Sequence, residues 1–233
     1  MPDTVKKISI LAFVFAEHIE TVKMTSVEEI EEFAFCTTAI KNLDLGTNIN
    51  KIAANAFMDN ESLKEITIPA SVEEYGIDTV DNRCKFTVDK NNKFYSSENG
   101  SFFNIDKTVM YTYYVGNKQE SYKVPSTVEE IYDCAFMGAS ELKKVTLPSS
   151  LKKIGFSAFC ETGLTSVTIP KNVEEIGEYA FEYSKLKKLV IEDGCKTSIG
   201  DSAFYSCENL KEITIPDSIV KCDESAFDGT AYL

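Results

Sequence analysis

The chain has 233 residues, and 24 Lys+Arg against 37 Asp+Glu give a formal net charge of −13. With 43% hydrophobic and 11% aromatic residues it can bury a core, and its acid excess argues against nucleic acid or an anionic membrane as partner. The single histidine, His18, leaves no multi-His metal site, and no run of apolar residues is long enough for a membrane-inserted helix.

At the N-terminus, Lys6-Lys7 followed by apolar residues 8–16 has the outline of a short secretory signal. A repeat claims the same residues. Ala-Phe pairs end at Phe13, Phe35, Phe57, Phe136, Phe159, Phe181, Phe204 and Phe227, spaced 22 or 23 residues apart except for one gap of 79. Five residues before each Phe stands an Ile, or Cys222 in the last copy, and eight before stands an aliphatic residue in every copy but one, where Lys196 intervenes. Pro2-Asp-Thr-Val5 matches Pro216-Asp-Ser-Ile219, which makes residues 8–16 a repeat turn rather than a signal. The long gap holds a degenerate copy: Val72, Tyr75 and Val80 keep the offsets, with Thr79-Val80 replacing Ala-Phe.

Between these segments runs Leu-x-x-Val-x-Ile-Pro, at residues 63–69, 142–148, 164–170 and 210–216. Weaker copies lie at 19–24, 40–45, 83–88, 119–124 and 186–191. Apolar-polar-apolar alternation with β-branched residues predicts a short strand with one face buried, ended by Pro. The Val-x-x-Ile-Gly-x-x-Ala-Phe half lacks strand alternation and predicts a bend followed by a short helical or 3-10 turn. Its Ala allows close approach between turns, and its Phe should stack in an interior ladder.

One such unit cannot bury its own apolar face, whereas stacked units can. The predicted fold is therefore a single mostly-β solenoid over residues 1–233, a right-handed coil with a roughly nine-stranded parallel sheet on one face. Repeats fill 1–88 and 122–233, and an expanded turn fills 89–121. Neither end carries a polar capping repeat, so neighbouring repeats or a partner are expected to cover both. In the expanded turn, Asn99-Gly100 between aromatic runs predicts a hairpin whose aromatics form its own small core. Asp89-Lys-Asn91-Asn92 begins like a calcium loop but lacks the Gly and final Glu, and is expected to be a turn. Asn60-Glu-Ser62 and Asn99-Gly-Ser101 are glycosylation sequons. The seven cysteines form no C-x-x-C and are expected as buried thiols. Glu28-Glu29, Glu73-Glu74, Glu129-Glu130 and Glu174-Glu175 share a repeat column with Lys6-Lys7 and Lys152-Lys153, which predicts charge matching between turns.

The unit resembles the BspA-like, or Treponema-pallidum-type, leucine-rich-repeat family. Ile215-Pro-Asp-Ser-Ile219 and Ala203-Phe204-Tyr-Ser-Cys207-Glu-Asn-Leu210 carry the likeness best. The expanded turn adds Thr87-Val-Asp89-Lys-Asn-Asn92, Asn99-Gly100 and Tyr122-Lys-Val-Pro125. Cys falls at its family position only at Cys207. The resemblance implies an α/β-type leucine-rich-repeat horseshoe. It also implies a non-enzymatic, cell-surface or secreted protein of adhesion type, with no cofactor or metal and a protein or glycan as ligand. A cytoplasmic scaffold for protein–protein interaction is the alternative, which the unpaired cysteines favour.

No catalytic motif is present. The open face of the strands is the expected binding surface. Its central column runs Lys23, Asp44, Thr67, Thr87, Lys123, Thr146, Thr168, Val190 and Thr214. The neighbouring column runs Thr21, Asn42, Glu65, Lys85, Ser121, Lys144, Ser166, Lys188 and Glu212.

Overall fold

The computed structural model describes residues 1–76 and 80–231. Thr79, and with it the replacement of Ala-Phe in the degenerate copy, lies outside the described residues. Contacts gather the chain into two compact units, Met1–Ile105 and Asp106–Leu233.

All nine predicted strands form. In the first unit Thr21–Lys23 pairs in parallel with Asn42–Asp44, and Glu65–Ile68 with Lys85–Val88. In the second unit Ser121–Lys123, Lys144–Thr146, Ser166–Ile169, Lys188–Ile191 and Glu212–Thr214 make one five-stranded parallel sheet. Alternation decides the faces: Val145, Val167 and Leu189 are buried, and their neighbours on either side face solvent.

The other half of the repeat departs from expectation. Among the described residues the only helix is the 3-10 segment Val115–Asn117. Where helical turns were predicted, the Ile column instead forms two-residue parallel strands. Lys7–Ile8, Glu29–Ile30, Lys51–Ile52 and Glu74–Tyr75 line the first unit. Glu130–Ile131, Lys153–Ile154, Glu175–Ile176, Ser198–Ile199 and Lys221–Cys222 line the second.

The residues that follow are overlapping β-turns, not helix. Around Phe159, Ala158 N–H donates to Gly155 O and Cys160 N–H to Ser157 O, each three residues back. The alternate N–H groups of Ser157, Phe159 and Glu161 donate instead to Glu178, Ala180 and Glu182 of the next turn. Half the amides thus close local turns and half sew one coil to the next, so the backbone is satisfied without a helix. The geometry requires left-handed residues two before and two after each Phe. Fifteen of those sixteen positions have positive φ, with Ser225 the exception, and only Gly138 and Gly229 among them are glycine.

The predicted ladder is present in both units. Phe35 stacks on Phe13 and Phe57 at 5.0 and 5.3 Å. In the second unit Phe136, Phe159, Phe181, Phe204 and Phe227 stack on one another at 4.7–5.1 Å. Small residues bring the coils together: a Cβ added at Gly177 would sit 2.7 Å from the Gly155 carbonyl carbon.

Two polar columns tie consecutive turns. Thr127, Ser150 and Ser218 hydroxyls donate to carbonyls of the preceding turn at Lys107, Ser126 and Cys195. Three residues after each Phe lies a second column. There Asn60, 4% exposed, donates to Phe35 O and Phe57 O at 2.6 and 2.9 Å and accepts from Thr38. Cys207 holds the same place and donates its thiol to Phe181 O. The Asn60 sequon is therefore committed to the interior, where no glycan can be attached.

Tyr95–Glu98 and Ser101–Asn104 form the predicted hairpin, with Asn99 and Gly100 both left-handed as a type I′ turn requires. It lies along Lys85–Val88, where Phe86 N–H donates to Gly100 O at 3.0 Å. Phe102 and Phe103 are buried, and Phe102 stacks on Phe86 at 4.6 Å, so these aromatics are core. Asp89 accepts from the Asn91 N–H at 2.8 Å, a turn as expected.

All seven cysteines are free, five of them buried, with Cys134 half-buried and Cys222 exposed. The predicted charge matching forms as exposed pairs, Lys6–Glu28 at 2.8 Å and Lys152–Glu129 at 2.7 Å. Such solvent-exposed pairs contribute little to stability.

Candidate binding face

Strand alternation sends every second side chain to solvent, so each face is a grid of residues from successive turns. In the first unit Lys23, Asp44, Glu65, Thr67 and Lys85 are exposed and Thr87 is half-buried. Their charges largely satisfy one another. Lys23 approaches Asp44 at 3.8 Å, Lys85 approaches Glu65 at 3.6 Å, and the Thr87 hydroxyl donates to Glu65 at 3.0 Å. Thr21, Lys23, Asn42, Asp44 and Thr67 line a shallow depression of about 360 Å³.

In the second unit Lys123, Lys144, Thr146, Ser166, Thr168, Lys188, Glu212 and Thr214 are all exposed. Register places Lys144 beside Ser166, Ser166 beside Lys188, and Lys188 beside Glu212. Lys188 pairs with Glu212 at 3.1 Å. Lys123 and Lys144 have no acidic partner among the described residues. This face therefore holds unpaired cations on a chain of net charge −13. Between them Thr146, Ser166 and Thr168 offer small donors and acceptors over a flat surface.

Alternation in the sequence thus told which strand residues face solvent. The ion pairs that form, Lys23–Asp44, Lys85–Glu65 and Lys188–Glu212, join successive members of the columns read from the sequence. A second exposed set on this unit escaped sequence reading. Phe156 and Tyr183 are 45% and 48% exposed and meet Tyr179 and Tyr205 edge-on at 5.6 and 5.8 Å. The signal available was aromatic side chains at the turn positions flanking the Phe column.

Nucleophilic chemistry finds little footing. Desolvation pushes the buried thiols of Cys84 and Cys160 up to about 12, away from the reactive thiolate. Among the described residues, none of the His, Cys, Asp and Glu side chains group to hold a metal, and no helix is long and apolar enough to cross a membrane.

A family model of the BspA type leucine rich repeat region matches in six copies, over residues 1–109 and 106–233. Among solved structures, the chain is similar to a leucine-rich repeat protein from Eubacterium ventriosum, at 23% identity over 97% of this chain and 80% of that one, TM-score 0.68. It is similar to the pneumococcal vaccine antigen PcpA at 22% identity, 93% and 69% coverage, TM-score 0.73. It is also similar to a leucine rich cell surface protein from Faecalibacterium prausnitzii at 22% identity, 100% and 76% coverage, TM-score 0.72. At these identities the likeness is one of fold. No curated protein matches.

Proposed function

The chain belongs to the BspA-type leucine-rich-repeat family, and from that premise we propose that it is a non-enzymatic binding module whose strand face recognises a protein or glycan. The observation that carries this is the exposed grid of the second unit. There Lys123 and Lys144 stand unpaired among Ser and Thr hydroxyls, unlike the self-neutralised charges of the first. Such a face favours ligands that bring anionic groups and many hydrogen-bonding atoms, and it has no use for a deep pocket. We place the module in a cell-surface or secreted protein of adhesion type. The names of two structural neighbours, a cell surface protein and a vaccine antigen, support that location.

The test is a binding screen of the purified chain against arrays of extracellular-matrix proteins and sialylated or sulfated glycans. Lys123→Glu/Lys144→Glu is expected to weaken any captured ligand and to leave the melting temperature nearly unchanged. Affinity that survives the double reversal removes the strand face as the site. Seven free thiols support the second reading, a cytoplasmic scaffold, because secreted proteins tend to oxidise theirs. A reading frame with an export signal upstream would exclude it.

A further inference from the structure

The turns that carry the Phe ladder of the second unit are sorted by charge. Residues 132–138, 155–161, 177–183, 200–206 and 223–229 hold eight Asp or Glu and no Lys or Arg. On the strand face of the same unit stand Lys123, Lys144 and Lys188. Among the described residues no cation pairs with Glu161, Glu178 or Glu182, so the cross-turn matching seen at Lys152–Glu129 is missing here.

Carboxylates alone would mark a solvated face. The rings among them set this one apart. Phe156 and Tyr183 are exposed, and each meets a second ring edge-on, Tyr179 at 74° and Tyr205 at 83°. In an edge-on pair one ring keeps both of its faces clear of the other, open to a cation. The two pairs lie within three consecutive coils, since Phe159 N–H donates to Ala180 O and Phe181 N–H to Ala203 O, both at 2.7 Å. Partial desolvation, then Tyr205, Glu182, Cys160 and Glu161, push the Tyr183 phenol above its ordinary range, as carboxylates close to the ring should.

Open rings beside unpaired carboxylates match one chemistry. A guanidinium stacks flat on an aromatic face and takes a carboxylate bidentately, whereas an ammonium is a compact, strongly hydrated point charge. We propose that this turn face docks an arginine-rich peptide segment of a partner protein. Its guanidinium groups lie over Phe156 and Tyr183 and pair with Glu161, Glu178 and Glu182. The inference does not require the strand-face site, which shares no residue with this one and has the opposite charge.

The test is fluorescence anisotropy of a labelled peptide of about twelve residues, alternating Arg and Gly, titrated with the purified chain at physiological salt. Saturable binding is expected, about three-fold or more tighter than for the same peptide with Lys in place of Arg. Glu178→Gln/Glu182→Gln should weaken it about ten-fold or more. Glu120→Gln/Asp217→Asn removes the same charge at exposed positions off this face and should change it less than about two-fold. Phe156→Ser/Tyr183→Asn leaves the charge unchanged and should weaken it about five-fold or more. Thermal melts check that each variant folds. The proposal falls if the Arg peptide does not saturate, if the Lys peptide binds as tightly, if the two charge-removing pairs weaken binding alike, or if loss of the rings leaves affinity at the parent value.

Discussion

Phe159→Ala removes a ring that is fully buried and stacked on both sides, at 4.7 Å from Phe136 and 5.0 Å from Phe181. The lost transfer energy and residual cavity of such a truncation cost about 3–5 kcal/mol. The upper half of that range applies, because the site cannot collapse. Phe136 N–H to Ala158 O and Phe159 N–H to Ala180 O, both 2.7 Å, fix the spacing of the coils around the gap. With a urea m-value of about 2 kcal/mol/M, a loss of about 4 kcal/mol moves the midpoint down by about 2 M. Thr168→Ala, on the exposed column, should cost under about 1 kcal/mol and move it by less than about 0.5 M. Urea melts of the two variants followed by circular dichroism make the comparison. Comparable shifts would mean that the interior and the open face have been exchanged.

Asn60→Ala strands the Phe35 and Phe57 carbonyls and Thr38, and should cost about 2–3 kcal/mol in the same assay. Thr37→Asn should raise stability by about 0.5–1 kcal/mol, since a β-branched residue is held at φ +54° where Asn is at ease. Iodoacetamide at neutral pH should label Cys222 first and leave Cys84, Cys160 and Cys207 unmodified until the chain unfolds, as mass spectrometry of the digest would show. The Lys7 hydrogen bond, then the Ile10 N–H, hold the Glu31 carboxyl below the usual carboxylate range. Its folded pKa lies under the unfolded one, so its contribution is present above the unfolded value and lost as pH falls through the folded value. Glu31→Gln should thus lower the melting temperature at pH 7 and lose that effect as the pH falls through the folded value.

The strands, the Phe ladder and the hairpin were legible because each depends on a residue type placed at a fixed period: alternating β-branched residues, a large ring, Asn-Gly. The turns between them were not. Their left-handed positions hold Leu11, Phe15, Glu161 and Tyr183 as readily as Gly138, so no residue type marks them. The offsets of three and four that suggested helix come from overlapping turns whose alternate amides reach the next coil, a pattern only the stacked structure displays. The outward columns were legible from alternation and repeat spacing together, and the Lys188–Glu212 pair, 24 positions apart, joins two successive members of one column. Tyr113 was missed as a ladder member because it lies within the expanded segment 89–121, where the count from the preceding Ala-Phe pair is lost.

Inside the repeat, Ile, Ala and Phe recur because each is held by a copy of itself one turn away, and a change in any of them disturbs two neighbours. The outward positions of the strands carry no such constraint. Lys, Glu, Ser and Thr succeed one another there with no loss to the core, since register fixes only where a side chain points. Binding chemistry can therefore vary along the outer columns while the ladder stays constant.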